Sequence, residues 1–344
     1  MKYRQLGKTG VLVSELCFGT MTFGGKGYWK AIGQLPEDEA TQLVKTALER
    51  GINFFDTANA YSEGLAETLL GKAIRNIGIN RQSVFIATKV RLRMGEGANQ
   101  VGLSRLHILD SVDESLERMG LSHIDMLYIH GVDPVTPIEE TMRALEDVVR
   151  SGKVRYIGVS NHPAWMVMKA NSLATHMGWS KFVASQNFYS IASRDIEREI
   201  VPMALSENIS IMPWSPLAGG FLSGKFKRDA KTAGNSRRDE FDFPPINKEK
   251  AFDIIDVMTK IGDRYKVSAA RVALAWTKDR PGVTSVIIGA KTHDQLLDNI
   301  ACTELQLTND EIMELDAISA LTPEYPGWMV DRQMMGRLPE TSKA

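Results

Sequence analysis

The sequence predicts a closed (β/α)8 barrel. Eight short apolar runs read as buried strands. Stretches with helical spacing separate most of them, and no shift in composition interrupts the ~300 residues they span. Strands that alternate with helices are parallel and joined by crossovers, which leaves a closed barrel or a doubly wound sheet. Eight units in a chain of this uniformity favour the barrel.

The elements follow in order. Residues 3–13 read as a hairpin turning at Lys8-Thr9-Gly10, so residues 1–15 are expected to cap one end of the barrel. Leu16-Cys17-Phe18 is the first barrel strand. Pro36 opens a helix whose first turn carries Glu37, Asp38 and Glu39, the charge that suits a helix N-terminus. Asn53-Phe54-Phe55 and Val84-Phe85-Ile86-Ala87 are the next two strands. Leu103, Leu106, Leu109, Val112, Leu116 and Met119 step by three or four and predict one apolar helix face. Ile138, Met142, Leu145 and Val149 do the same after the strand Met126-Leu127-Tyr128-Ile129. Tyr156-Ile157-Gly158-Val159, Phe182-Val183-Ala184, Ile209-Ser210-Ile211-Met212 and Val286-Ile287-Ile288 complete the set. Gly51, Gly120, Gly152 and Gly178 follow helical stretches, where a left-handed cap is needed. Two segments break the rhythm. Residues 215–247 form a long loop rich in Gly, Pro and charge, and residues 321–344 a C-terminal loop with Tyr325 and Trp328. One barrel domain over residues 1–344 is expected.

Composition excludes several classes of function. Hydrophobic residues make up 43% and charged residues 24%, as in globular chains, so a disordered protein is excluded. Forty-one basic residues against 42 acidic ones give a net charge of −1, without a chain-wide footprint for nucleic acid or an anionic membrane. Two cysteines, Cys17 and Cys302, make no disulfide framework, and with six scattered His they make no zinc site of ordinary spacing. No metal is expected. The start of the chain has no apolar run of the signal-peptide kind, and no uncharged run approaches ~18 apolar residues. A reducing, cytoplasmic compartment is the expectation.

Two nucleotide motifs fail. Gly219-Gly220-Phe221-Leu222-Ser223-Gly224-Lys225 has Walker spacing, but Phe226 stands where a hydroxyl must bind Mg²⁺. No G-x-G-x-x-G follows an early strand. The stronger signal is polar residues at strand ends. Asp56 follows Phe54-Phe55, with Tyr61 five residues on; Lys89 closes Ile86-Ala87-Thr88; His130 closes Leu127-Tyr128-Ile129. Taken singly, each is as readily a strand-end polar group or half of an ion pair. In a barrel all four meet on the carboxyl face, where catalytic groups gather. A phenol is a weak acid at neutral pH, an adjacent ammonium favours its anion, and a carboxylate keeps that ammonium charged.

Phe55-Asp56-Thr57-Ala58-Asn59-Ala60-Tyr61, with Glu67 and Leu70-Gly71, resembles the aldo-keto reductase signature. Thr88-Lys89, Tyr128-Ile129-His130, Gly158-Val159-Ser160-Asn161, Gln186-Asn187, Ser215-Pro216-Leu217 and Ile288-Gly289-Ala290 stand in that family's order, and the resemblance covers residues 1 to about 320. It implies an oxidoreductase that reduces an aldehyde or ketone, with Asp56, Tyr61, Lys89 and His130 as its catalytic tetrad and Tyr61 as proton donor. It implies NADPH as cofactor, with NADH as the alternative. Ser160, Asn161 and Gln186 match the residues on the nicotinamide carboxamide, and Trp214 stands where an aromatic residue, commonly Tyr, stacks on the ring. Ser215, Leu217 and Gly219 belong to the pyrophosphate loop, with Lys225 nearby; Gly289, Ala290, Lys291, Gln295 and Asn299 match the adenosine end. Lys291 takes the place of a frequent Arg beside the 2′-phosphate, supplying charge without a planar fork. Tyr28 and Trp29, Trp214, the 215–247 loop, Tyr325 and Trp328 are expected to wall the substrate pocket, which suits a small-molecule carbonyl. Two other readings remain at this point: an NADPH-binding regulatory subunit of the potassium-channel β type, and a Schiff-base aldolase on the same barrel.

Overall fold

The computed structural model describes residues 1–226, 228 and 237–334, with Arg237 described only in its backbone. Strands β1 (Tyr3–Gln5) and β2 (Leu12–Ser14) pair antiparallel with Tyr3 opposite Ser14. The barrel strands are β3 (Leu16–Gly19), β4 (Phe54–Asp56), β5 (Phe85–Val90), β6 (Ile124–Ile129), β7 (Val154–Ser160), β8 (Phe182–Phe188), β9 (Ser210–Trp214) and β10 (Val286–Ile288). They form one eight-stranded parallel sheet in the order β10-β3-β4-β5-β6-β7-β8-β9. The ring closes at Ile211, whose N–H donates to Gly282 O at 2.9 Å and whose C=O accepts from Thr284 N at 3.0 Å. The (β/α)8 barrel expected from alternation is the fold.

Two apolar layers hold it. Inside the ring, Cys17, Phe54, Phe85, Ala87, Met126, Tyr128, Ala184 and Met212 pack together, and the hairpin adds Leu6 and Val13, so it plugs the end away from the strands' carboxyl termini. Outside, the apolar faces of the helices cover the strands. The helix Glu37–Glu49 carries its three acids in the first turn, and the helix Ile138–Arg150 buries Met142 and Leu145. Gly51, Gly120, Gly152 and Gly178 all adopt positive φ.

Three expectations need correction. The helix Arg105–Met119 starts after Leu103, and its buried face runs through His107, Ile108, Ser111, Val112, Ser115 and Met119. Leu106 is exposed, because this face is turned by part of a helical step from the Leu stripe. Residues 215–247 are not one loop: a 3-10 turn covers Ala218–Ser223 and a short helix Arg237–Glu240, while 227 and 229–236 lie outside the described residues. The tail is not wholly loop either, since Gly327–Met334 is helical, and residues 335–344 lie outside the described ones.

Candidate active site

Three neighbouring barrel strands deliver polar side chains from their carboxyl ends. Asp56 is the last residue of β4, Lys89 lies near the end of β5, and His130 follows β6. Tyr61 opens a 3-10 turn five residues beyond Asp56. The four converge. The Lys89 ammonium, fully buried, donates to Asp56 Oδ2 at 2.5 Å, Thr57 O at 2.7 Å and Tyr61 Oη at 3.2 Å, so all three N–H bonds are used. Burial alone would push the Lys89 pKa down; the charges and hydrogen bonds of Asp56 and Tyr61 outweigh it and leave the pKa above the ordinary lysine value. The lysine therefore stays charged beside the phenol and favours the phenolate. Asp56 is fixed on its other oxygen by Gln186 Nε2 at 2.8 Å, across the barrel.

His130 faces the same space, its ring centroid 5.8 Å from that of Tyr61. Burial, with the charges of Lys89 and Arg91, holds it well below the ordinary His range, so it is neutral at pH 7. A neutral imidazole beside a phenol can hold a carbonyl oxygen by a hydrogen bond without competing as an acid.

A cleft of about 650 Å³ runs from these groups across the carboxyl face. Near the tetrad, Asn161 Nδ2 donates to Ser160 Oγ at 3.0 Å and His130 O at 3.1 Å, while Trp214 Nε1 donates to Asn161 Oδ1 at 3.0 Å. Ser160 Oγ thus keeps its own proton, and Asn161 Oδ1 an acceptor pair, for a ligand amide. Further along, Ser215 Oγ accepts from Gly219 N at 2.8 Å and pins the 3-10 turn after β9. At the far end Asn299 Nδ2 donates to Gly289 O at 3.1 Å and Lys291 N to Gln295 Oε1 at 2.9 Å, beside the N-terminus of the helix His293–Ile300. A Cβ on Gly220 or Gly289 would meet nothing within 4 Å, so the backbone there lies open to a close-lying ligand.

Asp56, Tyr61, His130, Ser160, Asn161, Gln186, Trp214, Ser215, Leu217, Gly219, Lys225, Gly289, Ala290, Lys291, Gln295 and Asn299 all line this one cleft, as do Tyr28 and Trp29; Lys89 lies buried behind Asp56 and Tyr61. Trp328 does not line it. Arg198 bonds Glu324 at 3.0 Å and Thr322 O at 3.2 Å, and Lys250 donates to Ser319 and Ala320 carbonyls, which tie the tail to the outer helices. Trp328 meets Tyr325 edge-on there, with ring centroids 6.1 Å apart. Sequence reasoning put the 215–247 loop on the pocket without singling out Phe241 and Phe243, which line it. Phe243 stacks near Trp214 with centroids 5.9 Å apart, and Phe241 meets Tyr28 edge-on at 5.2 Å. Two aromatics one residue apart in a polar loop were the available signal. Ser268 and Asp298 also line the cleft, linked at 2.6 Å.

A barrel with a buried lysine–carboxylate pair set against a phenol at the head of a cleft on its carboxyl face has the acid network that carbonyl reduction requires. The comparisons with known proteins agree. The aldo/keto reductase family model matches residues 15–320, and the chain belongs to that family. It is 37% identical to versiconal hemiacetal acetate reductase of Aspergillus parasiticus, over 95% of this chain and 99% of that protein. It is 36% identical to a Schizosaccharomyces pombe protein provisionally named an aryl-alcohol dehydrogenase, over 91% of this chain and 94% of the other. An Arabidopsis thaliana protein provisionally named a voltage-gated potassium-channel β-subunit is 35% identical, over 95% and 99% of the two chains. The chain is an NAD(P)H-dependent aldo-keto reductase, with Asp56, Tyr61 and Lys89 as its acid network. No helix among the described residues is long and apolar enough to cross a membrane.

Proposed function

We propose that this chain reduces an aryl aldehyde or ketone to the alcohol with NADPH as the preferred cofactor. The observation that carries the reading is the Lys89 ammonium held at 2.5 Å on Asp56 and 3.2 Å on Tyr61, at the head of the cleft. Nicotinamide, when bound, supplies the hydride that goes to the carbonyl carbon. Tyr61 donates the proton to the carbonyl oxygen, and Lys89 stabilises the phenolate left behind. His130, neutral, orients that oxygen. Ser160, Asn161 and Gln186 would hold the carboxamide, and Trp214 would flank the ring. Ser215, Leu217, Gly219 and Lys225 would hold the pyrophosphate. Gly289, Ala290, Lys291, Gln295 and Asn299 would receive the adenosine end, where Lys291 would supply a charge to the 2′-phosphate. The open backbone at Gly220 and Gly289 supports this fit.

The aryl preference rests on the walls. Trp29 meets Tyr61 at 4.8 Å, Tyr28 meets Trp29 at 5.6 Å and Phe241 at 5.2 Å, and Phe241 stacks on Phe243 at 5.5 Å. This run of rings suits a flat aromatic guest. The provisional name of the Schizosaccharomyces pombe relative points the same way. A panel of aryl and aliphatic carbonyls with NADPH and NADH, followed by nicotinamide absorbance, tests it. Faster turnover of aryl aldehydes with NADPH is expected. Tight NADPH binding without turnover on any carbonyl would overturn it in favour of a regulatory-subunit role, the class that the Arabidopsis relative's name prints.

A further inference from the structure

The residue after the proton donor has an unusual backbone. Ser62 sits at φ 50°, ψ 37° and Glu63 at φ 58°, ψ 41°, both in the left-handed region that glycine favours. Ser62 is fully buried. Its hydroxyl donates to Phe23 O at 2.7 Å and accepts from Gly25 N at 2.8 Å. The segment it grips, residues 23–33, carries the 3-10 turn Gly27–Ala31 with Tyr28 and Trp29. The two turns approach closely: a Cβ on Gly24 would stand 3.1 Å from Ser62 Cβ and 2.8 Å from Leu65 Cδ2, and one on Gly27 would collide with the Glu63 carboxylate. Trp29 then lies edge-on to the Tyr61 ring, centroids 4.8 Å apart.

We propose that Ser62 is a positioning residue that tethers the substrate-facing aromatic wall to the proton donor. Resting on the carbonyl-reductase reading, it sets the distance between the ring slot and the acid, and so the discrimination between flat aryl and small aliphatic carbonyls. A strained non-glycine conformation held beside a reacting group is retained only where the surroundings over-determine it, and here the serine hydroxyl is what the position supplies. A glycine at this position would relieve the backbone strain and lose both hydrogen bonds, whereas an alanine would lose the bonds and keep the strain, so the two substitutions together separate strain from tether.

The test compares wild type with Ser62→Gly, Trp29→Ala and the double variant, with Ser62→Ala as a second tether-free form. Ser62→Gly should stay folded, with a thermal midpoint no lower than that of Ser62→Ala, and leave the NADPH Kd unchanged. Trypsin should cut more than about tenfold faster after Lys26 and Lys30, which are exposed on the tethered segment. The kcat/KM for an aryl aldehyde should fall about tenfold, mostly through KM, with a smaller change for a short aliphatic aldehyde. In the Trp29→Ala background, adding Ser62→Gly should move the aryl-to-aliphatic ratio by less than about twofold, since the wall it holds is gone. Unchanged cleavage overturns the tether. Faster cleavage with unchanged discrimination, or with equal losses for both carbonyls, overturns the specificity role. Cleavage needs no turnover, so a wild type that reduces no carbonyl would sink the functional reading while the tether is still decided.

Discussion

Replacing Lys89 with methionine keeps the stem's bulk and removes the charge between Asp56 and Tyr61. At the observed 3.2 Å, an ammonium and a phenolate in a medium of effective dielectric about 20 attract by at most about 5 kcal/mol. Even a fraction of that, left after the cleft's water screens the pair, changes proton transfer by orders of magnitude. Carbonyl reduction should therefore fall by at least about 10²-fold. In the reverse direction, alcohol oxidation needs Tyr61 deprotonated, so its rising limb should move upward by at least about one pH unit. The single variant also strands the Asp56 carboxylate in the interior, an expected cost of about 3–5 kcal/mol in stability. Adding Asp56→Asn removes the stranded charge and keeps an acceptor for Gln186, so stability should return while the pH limb stays displaced. The assay is the pH profile of alcohol oxidation at saturating NADP⁺, with chemical denaturation of the same samples. A limb at the wild-type pH in a folded double variant would refute the electrostatic argument, and Lys89 would then be a structural ion pair.

Other expectations follow from the same geometry. Tyr61→Phe removes the proposed proton donor and should lower kcat for reduction by about 10²–10⁴-fold with the NADPH Kd nearly unchanged; near-wild-type turnover under chemistry-limited conditions would exclude Tyr61 as the acid. Lys291→Ala should weaken NADPH about tenfold to hundredfold and leave NADH almost untouched, and because Lys291 is exposed the effect should shrink with salt; equal losses for both cofactors by titration would remove it from the 2′-phosphate site. The stability of the fold should depend on pH through its histidines. Burial lowers the pKa of His130, His107 and His162, so the folded chain keeps them neutral while the unfolded chain protonates them near their usual ~6.5. Their contribution is complete above about pH 6.5 and is lost as pH falls below it, before carboxylates such as Glu146 and Glu197 titrate. Equal urea midpoints at pH 7.5 and pH 5.5 would contradict this.

How legible the molecule was depends on which forces wrote each part. All eight barrel strands were visible as apolar runs, because strands buried on both faces leave no polar alternation to confuse the pattern. Asp56, Lys89 and His130 were visible for a related reason: a polar residue at the end of an apolar strand has one place to go in a barrel, the carboxyl face, whereas Tyr61 stands on the turn beyond Asp56 and was read from the signature it shares with the family. Leu106 misled because a stripe of leucines states amphipathicity but not which few degrees of a helix meet the sheet. Trp328 misled more deeply. Its aromatic character made it a plausible pocket wall, but its position is fixed by Arg198 and Lys250, polar anchors far away in sequence that hold the preceding chain on the outer helices.

Phe241 and Phe243 show the converse. They reach the cleft because the Arg238 guanidinium bonds Ala218 O at 2.7 Å and Pro244 O at 3.0 Å, fastening their segment over the turn after β9. The sequence shows an arginine in a charged loop, a residue that is ordinarily solvated; the structure shows it buried. The difference lies in two backbone carbonyls, which every residue carries and no sequence pattern distinguishes, together with the Asp242 carboxylate and the face of the Phe221 ring. Polar groups at strand ends that converge on one cleft are therefore readable from one chain. The walls that choose a substrate depend on side-chain-to-backbone bonds, as at Arg238 and Ser62, and those become visible only when the loops are placed.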